Sequence, residues 1–235
     1  MQKTTEKLIV ALDYSSQAEA LQLVDALGDS VEFYKVGMQL YFAAGNGVIG
    51  ELKQRNKKIF LDLKINDIPE TVAKAVGSLV GLGVQYLTLF TNEAQIRAAA
   101  EVVAHHGSGL KLLNVTVLTS QASTFAEVDA RAKMSLAAGA HGLICSGLEA
   151  AELRRVHGTE AILVTPGIRP GSGEKTNAHG AVSSPRADDQ VRIVTPGDAI
   201  RAGATNLVVG RPITQATNPR AVAQAILAEI EGAAG

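Results

Sequence analysis

Five charged side chains stand at or just beyond the ends of apolar runs, where their types and spacing suit electrostatic and proton-transfer chemistry. Asp13 follows Leu8-Ile9-Val10-Ala11-Leu12, Lys35 lies at the end of a run at 33–36, Asp62 and Lys64 end a run at 59–63, and Asp67 comes just after. Side chains of an extended segment alternate in face. Asp62 and Lys64 therefore share one side of Phe60-Leu61-Asp62-Leu63-Lys64, while Leu61 and Leu63 share the other. Charges on an otherwise apolar strand are costly to bury unless they pair with one another or with a ligand. A single pair of this kind could be a structural ion pair and nothing more. Alternating Lys and Asp at three successive strand ends can hold one another ionised beside a substrate, and this reads as a site.

A second group of residues suits a phosphate monoester. The segments Val164-Thr165-Pro166-Gly167-Ile168-Arg169-Pro170 and Val208-Val209-Gly210-Arg211-Pro212-Ile213 each follow an apolar run with Gly and Arg. Glycine lets a backbone approach an anion, and the guanidinium fork grips phosphate with two hydrogen bonds. Either Arg alone could be a solvated surface residue; the two together favour phosphate.

Other patterns carry less. Gly171-Ser172-Gly173-Glu174-Lys175-Thr176 resembles the end of a nucleotide-binding P-loop, but Glu174 replaces the required Gly and no helical pattern follows. The five His residues show no metal-ligand spacing, and His105-His106 read as a solvated helix end. Met38, Tyr41 and Phe42, at helical spacing, read as core packing rather than a cofactor box. No metal, flavin, nicotinamide or pyridoxal site is indicated, so the expected chemistry needs no cofactor.

The elements that must position these residues alternate in type. Short β-branched or Leu-rich runs at 8–12, 33–36, 59–63, 86–90, 112–118, 142–145, 162–164 and 206–209 are strand candidates. Segments at 16–27, 39–55, 69–82, 93–105, 125–137, 149–156, 196–201 and 219–230 have helical spacing. Pro69, Pro196 and Pro219 suit first helical positions, with Thr195 and Asn218 as caps for the last two. Eight such units suggest a single-domain (β/α)8 barrel spanning 1–235, although periodicity alone also permits an open doubly wound sheet. In a barrel, functional groups sit at the C-terminal ends of strands, where these charges lie, and phosphate is frequently held by the loops after strands 7 and 8. The Ser/Gly/Asn/Asp-rich stretch at 171–189 is too long for an ordinary barrel loop, and reads as a lid or as a disordered decoration.

Composition narrows the class further. Twenty-two basic and 23 acidic residues leave a net charge of −1, which offers no global field for nucleic acid or anionic membrane. Cys145, the single cysteine, sits in an apolar run and reads as a buried structural thiol, compatible with a reducing compartment. The N-terminal apolar stretch is too short for a signal or spanning segment, and a cytoplasmic protein is expected.

Asp62-Leu63-Lys64-Ile65-Asn66-Asp67-Ile68-Pro69-Glu70-Thr71 resembles the signature of the orotidine 5′-monophosphate decarboxylases. The segments at 164–170 and 209–214 resemble that family too, as does Leu8-Ile9-Val10-Ala11-Leu12-Asp13. The resemblance implies conversion of orotidine 5′-monophosphate to uridine 5′-monophosphate without a cofactor. It implies that Asp13 contacts the ribose and that Lys35, Asp62 and Lys64 form a charged network with Asp67. Asp67, Ile68 and Thr71 would reach the neighbouring subunit's site, making the protein a homodimer. Thr119 would lie near the pyrimidine, and Pro166, Arg169, Gln190, Gly210 and Arg211 around the phosphate and its covering loop at about 171–189. The family often carries Phe-His where Ile65-Asn66 stand, and a His-containing segment where Leu89-Phe90-Thr91 stands. The nearest alternative is a barrel relative that shares Asp-x-Lys-x-x-Asp but uses Mg2+ on a keto-sugar phosphate, as a decarboxylase or aldol-type synthase. A non-catalytic phosphate sensor would need a broken charge cluster, and all five charges are present.

Overall fold

A computed structural model of the chain describes residues 3–118, 121–170 and 193–233. Its strands are β1 (Leu8–Ala11), β2 (Phe33–Gly37), β3 (Lys58–Ile65), β4 (Tyr86–Leu89), β5 (Lys111–Val115), β6 (Gly142–Ile144), β7 (Ile162–Thr165) and β8 (Asn206–Val209). Each pairs in parallel with its sequence neighbours, and β1 pairs with β8 through Leu8 with Leu207, Ile9 with Val208 and Val10 with Val209. This last ladder closes the sheet. The chain is therefore a (β/α)8 barrel, and the open-sheet alternative is removed.

The helices are α1 (Thr4–Lys7), α2 (Gln17–Leu27), α3 (Met38–Ala44), α4 (Asn46–Gln54), α5 (Pro69–Leu79), α6 (Glu93–His105), α7 (Phe125–Ala137), α8 (Gly147–His157), α9 (Pro196–Arg201), α10 (Arg211–Thr214) and α11 (Pro219–Ala233). Their starts follow capping chemistry. Thr124 and Ser146 each form a capping box, with Glu127 and Glu149 respectively, and Thr195 accepts a hydrogen bond from the Asp198 amide. Asn218 likewise accepts from the Ala221 amide at 3.1 Å. The inward face of α5 is Val72, Val76 and Leu79, spaced one and two turns apart and buried against the outside of the barrel.

Strand alternation divides the core into two shells. Ile9, Ala11, Phe33, Phe60, Tyr86, Leu113, Val115, Ile144, Val164 and Val208 fill the barrel interior. Their neighbours along each strand, such as Val10, Tyr34, Leu61 and Leu87, face outward into the layer shared with the helices. Each fully buried aliphatic side chain contributes about 1.5–3 kcal/mol, so a Leu61→Ala change would loosen the seam under the helix layer. Across the interior Tyr86 donates a hydrogen bond to Asn206 at 3.0 Å, and Asn206 donates at 2.7 Å to the Glu6 carbonyl of α1. The amino-terminal end of the barrel is thereby closed, and the opposite end carries the charges.

Three sequence expectations need correction. The run at 112–118 stays in the ladder only to Val115: the Thr116 amide makes the last ladder bond, to the Ile144 carbonyl, and the Thr116 hydroxyl donates to the same oxygen at 3.1 Å. The expected helix at 39–55 is two helices, broken at Gly45, whose φ of +58° a residue with a β-carbon adopts only at a cost. That break leaves α3 on the rim. Met38 and Phe42 are consequently exposed, at 43% and 76%, rather than in the core, while Tyr41 packs partly against it. The short helices α1 and α10 were too brief to show a hydrophobic period. Cys145 is buried, as expected.

Candidate active site

The C-terminal ends of the strands surround a cavity of about 530 Å3 lined by Asp13, Lys35, Asp62, Lys64, Pro166, Gly167, Arg169, Gly210 and Arg211. Its remaining wall is apolar: Ala11, Phe60, Val115, Val117, Leu118, Ile144 and Val208. Charges from β1 to β3 thus occupy one side, and the two arginines enter from the loops after β7 and β8.

The charges on the first side form a chain of contacts. Lys35 Nζ donates to Asp13 Oδ1 at 3.0 Å and faces Asp62 Oδ2 at 3.6 Å. Lys64 Nζ donates to the other oxygen of the same carboxylate, Asp62 Oδ1, at 2.9 Å. The Thr88 hydroxyl also donates to Asp62 Oδ1, at 2.8 Å. Burial alone would raise the Asp62 carboxyl above its ordinary value. The charges of Lys35 and Lys64 and the hydrogen bonds from Lys64 and Thr88 outweigh that effect and hold it below. Asp62 is accordingly an anion, and both ammonium groups keep their counter-charge.

Local geometry makes room for this arrangement. Gly37 pairs with Asp62 across the β2 to β3 ladder, and a β-carbon on it would come within 3.0 Å of Lys35 Nζ. Lys64 has a φ of +49°, a conformation that disfavours side chains, at the point where the β3 to β4 register shifts between Leu61 and Ile65. Phe60, Asp62 and Lys64 still share the inward face that alternation predicts.

On the opposite side Gly167 has a φ of +77° and accepts a hydrogen bond from the Val194 amide at 3.4 Å, while the Arg169 amide donates at 3.0 Å to the Val194 carbonyl. Ile168 and Val194 form a parallel bridge. The chain therefore returns beside Arg169 after the polar stretch. That stretch, expected to cover phosphate at 171–189, lies outside the described residues, as do Thr119 and Gln190.

Asp67, Ile68 and Thr71 are not brought into this cavity. They are exposed at the rim beyond β3, where Asp67 Oδ1 accepts a hydrogen bond from the Ile68 amide at 2.7 Å and Ile68 is 63% exposed. The sequence reading misses Thr88, whose signal is a polar side chain two residues after Tyr86, on the inward face of an apolar strand. It also misses the apolar wall, because Val and Leu in strands look the same whether they fill a core or line a cavity. Among the described residues no group of three or more His, Cys, Asp or Glu side chains is placed to share a metal ion. No helix among them is long and apolar enough to cross a membrane.

Comparison with known proteins bears on this geometry. The chain matches the model of the orotidine 5′-phosphate decarboxylase / HUMPS family over residues 6–226. It is 45% identical over 236 residues to a Rhodopseudomonas palustris (strain HaA2) protein named orotidine 5′-phosphate decarboxylase, covering 96% of this chain and 94% of that one. A Methylobacterium radiotolerans protein of the same name is 44% identical over 236 residues, with 96% of each chain covered. Among solved structures, orotidine 5′-phosphate decarboxylase from Lactobacillus acidophilus superposes with a TM-score of 0.78 at 35% identity, covering 96% of this chain and 99% of that one.

Proposed function

The chain belongs to the orotidine 5′-phosphate decarboxylase / HUMPS family, and on that premise we propose that it is a carboxy-lyase converting orotidine 5′-monophosphate to uridine 5′-monophosphate and CO2. The observation that carries this reading is the Lys64 ammonium held 2.9 Å from Asp62 inside a cavity that also presents Arg169 and Arg211. The names of the curated relatives favour the nucleotide over a keto-sugar phosphate.

Breaking the bond from C6 to the carboxyl carbon leaves the electron pair in the plane of the pyrimidine, out of reach of its π system. The barrier is large, and enzymes lower barriers by roughly 8–23 kcal/mol. Lys64 stabilises the in-plane anion electrostatically and then gives C6 a proton from Nζ, and the resulting amine regains a proton from water. Asp62 would face the departing carboxylate. Two like charges about 4 Å apart repel by only about 4 kcal/mol at an effective dielectric near 20, too little for most of the acceleration. Its main part is to keep Lys64 charged and in place, helped by Lys35 on its other oxygen. Asp13 contacts the ribose, and Pro166, Arg169, Gly210 and Arg211 receive the phosphate. Thr119 and Gln190 are assigned beside the pyrimidine and phosphate by resemblance alone.

We further infer a homodimer in which Asp67, Ile68 and Thr71 complete the neighbouring copy's site. Their exposure at the rim supports this, as do the exposed apolar side chains Ile68, Met38 and Phe42 on neighbouring loops and helices. Mixing Lys64→Ala with Asp67→Ala chains tests it. Mixed dimers hold one intact site in two, so random exchange should restore about a quarter of the parental sites. No recovery despite subunit exchange would exclude shared sites.

The principal test follows the ultraviolet absorbance of orotidine 5′-monophosphate with purified protein and excess chelator. Turnover that survives the chelator is expected. Folded protein that leaves the absorbance unchanged with and without chelator would overturn the proposal, and turnover of the nucleotide that the chelator abolishes would overturn its metal-free chemistry.

A further inference from the structure

The ladder between β3 and β4 carries an irregularity in front of a single residue. Leu61 pairs with Leu87 and Ile65 pairs with Leu89, so Asp62, Leu63 and Lys64 together stand opposite Thr88 alone. Two surplus residues are an even number. Ile65 therefore returns to the outward face shared with Leu61, and both pack with the helix layer. The surplus is absorbed where Lys64 takes its φ of +49°, one of two positive values at non-glycine positions among the described residues.

In that conformation the Lys64 amide donates to the Thr88 hydroxyl at 2.9 Å, where a regular ladder would use a carbonyl. The same hydroxyl donates to Asp62 Oδ1 at 2.8 Å, and Asp62 Oδ1 receives Lys64 Nζ at 2.9 Å. The bonds close a ring from the backbone of Lys64 through Thr88 and Asp62 to the ammonium of Lys64. A hydroxyl suits the position because one atom accepts and donates at once. Thr88 is wholly buried and is not among the residues lining the cavity.

We propose that Thr88 is a positioning residue for the Lys64 ammonium, holding the left-handed backbone of Lys64 and the carboxylate of Asp62 to one hydroxyl. The assignment rests on the decarboxylase reading of the site. It acts on the reacting group without touching substrate, so its loss should slow the chemical step far more than it weakens binding. A misplacement of about 1 Å can cost about 100-fold in rate.

The experiment compares the full-length parent with Thr88→Val, which keeps the shape and removes both hydrogen bonds, and Thr88→Ser, which keeps the hydroxyl. Thr88→Val should lower kcat by about 10- to 100-fold with KM and uridine 5′-monophosphate affinity nearly unchanged, and Thr88→Ser should recover most of the loss. Thr88→Cys, small but a weak hydrogen-bond partner, takes the place of the valine variant if that chain does not fold. Parental kcat in the valine variant, an equally slow serine variant, or parallel losses of kcat and product affinity would each overturn the proposal. Crystal structures supply a readout that needs no turnover: in Thr88→Val the Lys64 φ or the distance from Nζ to Asp62 should change, and an unaltered Lys64 overturns the assignment. A parent chain without turnover would count against the decarboxylase reading, while the Lys64 geometry would still decide the part played by Thr88.

Discussion

Lys64 reaches back along its own strand to hold Asp62, with Nζ at 2.9 Å from Oδ1, although its backbone at φ +49° has left the regular strand conformation. Lys35 takes the other oxygen at 3.6 Å and Asp13 at 3.0 Å. Two cations and two anions leave this inner group without net charge. Among the described residues, the other charged side chains lining the cavity are Arg169 and Arg211 on its far side, and under the proposed function the grip on an anionic substrate lies there, apart in space from the chemistry.

That separation predicts different kinetic signatures for the two sides. Lys64→Ala should lower kcat by roughly 10,000-fold or more while uridine 5′-monophosphate still binds, because the role proposed for the lost group is on the reacting carbon alone. Arg211→Ala should raise KM roughly 10- to 100-fold and slow turnover less severely, as a charge-assisted grip on phosphate is lost. The Arg211 effect should vanish with orotidine lacking the phosphate. Steady-state kinetics and product titration check both, and equal signatures would argue against the division.

Removing a neighbour of Asp62 should move the acid limb of activity. Burial raises the Asp62 carboxyl, and Lys35 is the largest of the influences that bring it down. With its folded value depressed, Asp62 is charged above its ordinary value of 3.8, and what its ionised form contributes is lost only as pH falls through the lower folded value. Lys35→Met removes the strongest lowering influence, so the carboxyl should titrate at higher pH. The acid limb of kcat/KM should move upward in the variant, and an unmoved limb would mean that Lys35 does not tune Asp62.

Gly37→Ala probes the space behind Lys35. The backbone there, at φ −87°, accepts any residue, yet an ideal β-carbon would stand 3.0 Å from Lys35 Nζ and 3.5 Å from Asp13 Oδ1. Thermal stability should hold or rise by up to about 1 kcal/mol, since alanine limits the unfolded chain. Activity should fall by about 10-fold as the ammonium gives way, a modest displacement compared with loss of the group. A variant with parental kcat would show that Lys35 relaxes without consequence.

Much of this architecture was legible because barrel strands impose a period of two and amphipathic helices a period near four. Charges breaking the apolar period at Asp13, Lys35, Asp62 and Lys64 located one side of the cavity, and Gly and Arg after the seventh and eighth strands located the other. Features that depend on contacts distant in sequence were hidden. Nothing local to Lys64 announces its positive φ, which the register with Thr88 on the next strand accompanies. Met38 and Phe42 keep helical spacing yet face outward, because Gly45 ends their helix before it can wrap onto the barrel.

His141, just before β6, should tie stability to pH outside the site. Its Nδ1 receives the Leu112 amide at 3.1 Å, and an amide can only donate, so that nitrogen must be unprotonated. Burial first, and the nearby Lys111 charge second, lower its pKa from the ordinary 6.5. The unfolded chain therefore binds the proton more readily, and the stability contributed by neutral His141 is complete above about pH 6.5 and is lost as pH falls toward the lower folded value. His141→Asn can offer an oxygen to the same amide without titrating. Denaturant unfolding between about pH 7 and pH 5.5 should show a loss of stability in the parent that is smaller in the variant, and identical slopes would place the acid sensitivity elsewhere.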